Sequence, residues 1–272
     1  MLSLELTRSS VPDHSWVEVQ PKFPADKIFL SLFSIACAFL VLHIVALYLL
    51  YFSAIDSALL RLMANALDLN NESTIATWYS SATLLSCAAV LGLTALGCRQ
   101  ANSNLARYWF ALSLLVMFFS ADEVAQLHEK LNGPVRTVID MGSFFGIAWV
   151  LPGVAFVIFL MVSLRGFYKL LPAETRFHFA LGALVFFGGS LGVEMLGGHY
   201  SNTFGRETYV YALLTGAEEF LEMTGVAVFI YGTLRYLNAR VRWRFRAPEN
   251  RLKAGKQALT VVTLDPASRS EQ

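Results

Sequence analysis

The sequence predicts an all-α integral membrane bundle of six transmembrane helices with both termini in the cytoplasm. Three observations predict it. Of 272 residues, 56% are hydrophobic and only 15% are charged, whereas soluble domains carry nearer a quarter charged residues. Residues 28–54, 73–98 and 141–164 contain no Asp, Glu, Lys or Arg, and roughly 20 apolar residues of helix cross a hydrocarbon core of about 30 Å. Three further apolar runs, 108–121, 177–193 and 223–234, meet acidic residues before reaching that length.

Taken in order, the chain opens with a cytoplasmic extension, residues 1–27, too polar for a signal peptide. A transmembrane domain follows over 28–237, with helices expected near 28–53, 75–98, 107–128, 143–165, 176–198 and 208–237. Lys22 and Lys27 precede the first helix, Arg99 and Arg107 join the second and third, and Arg165, Lys169 and Arg176 join the fourth and fifth. Short loops rich in Lys and Arg stay in the cytoplasm. The opposite connections, around Asp56, Arg61, Asp68 and Glu72, then Lys130, Arg136 and Asp140, then Arg206 and Glu207, are poorer in positive charge. Residues 238–272 form a basic cytoplasmic tail, which places the chain in a cell inner membrane with lipid as its partner. Neither appendage is long enough for its own core. A net charge of +1 gives no field directed at nucleic acid. Cys37, Cys87 and Cys98 lack metal-ligand spacing. Pro152 and Gly153 predict a kink in the fourth helix, and Gly188, Gly189 and Gly192 predict close helix packing.

Acidic residues recur at one depth. At about 1.5 Å per residue, Glu222 lies roughly 20 Å from Arg235, Asp122 roughly 22 Å from Arg107, and Glu194 roughly 27 Å from Arg176. All fall in the outer third of the membrane or at its edge. On a continuous third helix Asp122, Gln126 and Glu129 share a stripe, with Glu123 a quarter turn away and His128 pointing elsewhere. Glu218 and Glu222 share a stripe on the sixth helix, continued by Tyr211 and Thr215 and flanked by Glu219. A charge facing lipid costs at least about 2.5 kcal/mol, so both stripes are expected to face the bundle interior.

Packed carboxylates cannot all ionise without a counter-ion, and this depth band contains no Lys or Arg. Protons or a cation must supply the balance. Asp and Glu joined by His suit iron, manganese or zinc; carboxylates alone suit calcium or magnesium. The expected ligands are Asp122, Glu194, Glu219 and Glu222 with His128 or His199, and Glu123 or Glu218 is the expected general acid or base. His43, alone on an apolar helix, reads as a packing residue. The chain contains neither Glu-x-x-His nor His-Glu-x-x-His. The pair Glu218-Glu219 resembles the paired glutamates of CAAX-type intramembrane proteases, but Glu222 stands where that family continues with arginine, so no family follows.

The functional expectation is a metal-dependent membrane enzyme acting on a lipid or hydrophobic substrate, by hydrolysis or oxidation. A proton-coupled or divalent-cation transporter using the same carboxylates is the alternative. An assembly subunit that binds a basic partner helix ranks third.

Overall fold

The computed structural model describes residues 3–7, 16–53, 57–69, 74–138 and 148–246. In chain order these form strands β1 (Ser3–Thr7) and β2 (Trp16–Lys22), helices α1 (Ala25–Phe52), α2 (Ala58–Leu67), α3 (Ile75–Gln100), α4 (Ala106–Ala125), α5 (Leu127–Lys130) and α6 (Asn132–Val138), then α7 (Val150–Leu170) and α8 (Ala173–Phe187). A π-helical turn, Gly188–Val193, joins α8 to α9 (Glu194–Phe204), and α10 (Tyr209–Arg240) and β3 (Trp243–Arg246) complete the order. Among the described residues five helices are long and apolar enough to cross a membrane: α1, α3, α4, α7, and the continuous run Ala173–Phe204. Helix α10 has 32 residues, roughly 48 Å of rise, with its acidic residues confined to the first half. The fourth expected helix begins in residues outside those described, and α7 is seen from Val150.

Helix α10 is the axis of the bundle, packed against α1, α3 and α8. Its second half is buried almost continuously, from Met223 to Leu237. Small residues allow the approach to α8: a Cβ on Gly225 would stand 2.6 Å from the Phe186 backbone nitrogen, and one on Gly189 would stand 2.9 Å from the Glu218 carbonyl oxygen. Backbones this close gain the dispersion contacts that hold helices together in lipid, where no hydrophobic drive remains. Helices α3 and α4 are joined by a reciprocal serine pair. Ser81 Oγ donates to the Ser120 carbonyl and Ser120 Oγ to the Ser81 carbonyl, each at 2.8 Å.

At one end the core is aromatic. Trp109, fully buried, has its ring 4.7 Å from Tyr236, 5.2 Å from Phe167 and 5.7 Å from Phe179. Beneath it lies an antiparallel sheet of order β1-β2-β3, in which Ser3 faces Lys22 and Trp16 faces Arg246. Through this sheet the segment before α1 pairs with the segment after α10. Asn238 fastens the junction: its Oδ1 accepts from Phe23 N at 2.9 Å and its Nδ2 donates to the Phe23 carbonyl at 2.8 Å. Residues 247–272 of the expected tail lie outside the described residues.

At the other end His43, 1% exposed, accepts from Leu69 N–H through Nδ1 at 3.2 Å, which leaves Nε2 to donate to the Ala212 carbonyl at 3.0 Å. Both ring nitrogens are thus spent on backbone, and the imidazole ties α1 to α10.

Candidate functional site

The end of the bundle remote from the sheet is assembled from chain breaks. Helix α4 stops at Ala125 because Gln126 takes a left-handed conformation (φ 54°, ψ 42°), which a continuing helix cannot contain. The expected third helix was three residues longer, so the continuous Asp122, Gln126 and Glu129 stripe is not formed. The chain instead turns His128 back onto Asp122. Asp122 Oδ1 accepts from His128 N at 3.0 Å, and Oδ2 lies 2.7 Å from His128 Nδ1. Burial opposes a charged imidazole here. The Asp122 hydrogen bond and charge, with the charges of Glu194 and Glu129, outweigh it and hold the His128 pKa above the ordinary histidine value.

Trp149, just before α7, extends the arrangement. Its backbone N–H donates to Asn132 Oδ1 at 3.0 Å, its ring lies 4.8 Å from the His128 ring, and Nε1–H donates to Glu194 Oε1 at 2.7 Å. Glu194 is buried, 8% exposed, and starts α9 directly after the π turn. One extra residue in that turn resets which side chains face inward, and π bulges recur at functional positions for this reason. From α10, Tyr211, Thr215, Glu218, Glu219 and Glu222 follow one helical stripe toward the same space.

These elements enclose a cavity of about 640 Å³. Among the described residues its wall carries seven carboxylates, Asp122, Glu123, Glu129, Glu194, Glu218, Glu219 and Glu222, and one Lys or Arg, Arg206. Arg206 belongs to the connection between α9 and α10 rather than to a helix. The loop residue before it, Gly205, has φ +86°, a conformation that suits glycine. His199 lies exposed on α9, away from this wall.

Among the described residues no group of three or more His, Cys, Asp or Glu is arranged to hold a metal ion. The Asp122 carboxylate spends both oxygens on His128, and one Glu194 oxygen is taken by Trp149. What the geometry does offer is proton transfer. An imidazole fixed through Nδ1 by a carboxylate is oriented, its charged form is stabilised, and Nε2 is left for a reacting group. Sequence reasoning missed Trp149, Asn132 and Arg206. Trp149 sits inside an apolar run and Arg206 in a loop, and neither carried a spacing signal.

No curated protein and no solved structure matches the chain. A family model described as a domain of unknown function, DUF8692, matches residues 33–237, a span that runs from α1 into the last turn of α10 and includes every residue of the cavity wall. The chain therefore belongs to the DUF8692 family.

Proposed function

We propose that this protein is a membrane-embedded enzyme acting on a lipid or other hydrophobic substrate in the acidic cavity, at the outer third of a cell inner membrane. The proposed frame is six crossings over residues 28–237 with both flanks, 1–27 and 238–272, in the cytoplasm. The pairing of β2 with β3 supports it: α1 begins and α10 ends at one end of the bundle, as an even number of crossings requires, and the proposal takes α10 as the sixth beside the five apolar spans. The basic loops assign that end to the cytoplasm.

The observation that carries the chemistry is the Asp122–His128 pair on the wall of a carboxylate-lined cavity. His128 Nε2 takes a proton from the attacking group, Asp122 stabilises the resulting imidazolium, and Glu123 or Glu218 returns a proton to the leaving group. This set favours hydrolysis over oxidation. A divalent ion, iron, manganese or zinc, would join through Glu194, Glu219, Glu222 and His128 or His199 and would polarise a substrate oxygen. In the arrangement described these donors do not gather around one point, so no step is routed through the ion.

The test is lipid turnover. Protein reconstituted with a membrane lipid extract is expected to convert one lipid species, followed by mass spectrometry, with His128→Ala and Asp122→Asn each slower by about 10²–10⁴-fold. Conversion unaffected by His128→Ala would overturn the assignment. Metal analysis of native protein beside Glu222→Ala decides the cofactor, and metal-free native protein with full turnover removes it from the proposal. One observation favours the transporter reading, the lack of any described hydrogen-bond or ion-pair partner for Glu218 and Glu222. Cation or proton flux into liposomes, lost with Glu219→Gln, would establish that reading instead.

A further inference from the structure

A second cavity, of about 880 Å³, lies beside the acidic one. Its wall comes from α3, α4, α7, α8 and α10 and is made of side chains such as Val116, Leu160, Met161, Ala183, Val226 and Phe229. On α7 it extends from Val157 to Tyr168, roughly 16 Å along the helix. The two cavities meet at Leu84, Phe119, Phe186 and Phe187, which belong to both walls. Along the continuous run of α8 and α9 the wall changes character in order. Phe179 to Gly188 face the apolar chamber, and Ser190, Leu191 and Glu194 face the acidic one.

A small polar ligand would leave the apolar chamber empty, and a plain hydrocarbon would leave the carboxylates unbalanced. Seven carboxylates face Arg206 and His128. Glu218 and Glu222 are half-buried in the acidic wall, with no hydrogen-bond or ion-pair partner among the described residues. Carboxylates gathered in this way are satisfied by a cation that brings its own donors. An ammonium head does both, since it carries positive charge and N–H groups.

We infer that the two chambers form one site for an amphiphile with a protonated amine head and a long hydrocarbon chain, the head between Glu218 and Glu222 and the chain along α7 and α8. This deepens the enzymatic reading by naming the class of its substrate, and as a statement about turnover it rests on that reading. As a statement about binding it does not. The ligand lies head outward and chain inward, as a lipid of the outer leaflet lies.

The test uses full-length protein in non-ionic detergent, with tritiated hexadecylamine as the probe and hexadecyl sulfate and hexadecanol as competitors. Micelle and chamber are equally apolar, so head charge sets the preference. The amine is expected to bind saturably, one per chain, and hexadecyl sulfate and hexadecanol are expected to displace it at least tenfold less well than unlabelled amine. The double variant Glu218→Gln/Glu222→Gln should weaken amine binding tenfold or more. Ala183→Trp, which fills the apolar chamber, should abolish it while thermal unfolding shows the variant still folded. Equal displacement by the sulfate, or unchanged binding in the double variant, would overturn the inference. Saturable amine binding without lipid turnover sinks the enzymatic reading alone; turnover without amine-selective binding sinks this inference alone.

Discussion

The two halves of α10 are built on opposite terms. From Met223 to Arg240 the helix is packed against α8 through Gly225 and Gly232 and capped by an aromatic core around Trp109. From Tyr209 to Glu222 it borders a cavity and holds three glutamates. Stability comes from the Met223–Arg240 half, which is buried almost continuously. The Tyr209–Glu222 half gives up packing to hold charged groups together, as functional sites commonly do at a cost in stability.

That contrast breaks most readily at the aromatic core. Trp109→Ala removes the ring that Phe167, Phe179 and Tyr236 pack on, and should cost about 3–5 kcal/mol, read as a lower thermal unfolding temperature in detergent. Gly225→Ala comes next. Its Cβ would meet the Phe186 backbone at 2.6 Å, and overpacking of this kind costs about 1–3 kcal/mol.

The cavity half should respond differently. The His128 pKa is raised in the folded protein. The Asp122–His128 pair therefore contributes stability that is fully present below the unfolded histidine value, about 6.5, and is lost as pH rises through the raised folded value. Unfolding temperatures measured across that window should show the slope in the native protein and lose it in Asp122→Asn. The smallest effect belongs to Glu222→Gln, which removes a charge without removing a contact. It should be neutral or stabilising by about 1 kcal/mol, and a loss as large as that of Trp109→Ala would mean that the carboxylate is structural.

The spans and their approximate limits were legible because hydropathy and length are local properties. Residues 208–237 were expected for the last helix and α10 covers Tyr209–Arg240. Depth counted along each helix also placed Asp122, Glu194 and Glu222 at one level, and these three do line one cavity. What escaped was non-local or unsignalled. The β2–β3 pairing joins segments more than 200 positions apart, and β2 contains Pro21, so neither strand shows a pattern that stands alone. The break at Gln126 involves neither Gly nor Pro, the usual punctuation, and this break turns His128 onto Asp122. Without it, the histidine reads as pointing away.

Cysteine accessibility tests the central claim most directly. In a chain whose three natural cysteines are replaced by serine, Glu222→Cys and Leu234→Cys are each exposed to a membrane-impermeant thiol reagent from either side of the membrane. Reaction of Glu222→Cys from the outer side alone, with Leu234→Cys unreactive from both, is the predicted result. Reaction of Glu222→Cys from the cytoplasmic side, or equal reaction at both positions, would contradict the account.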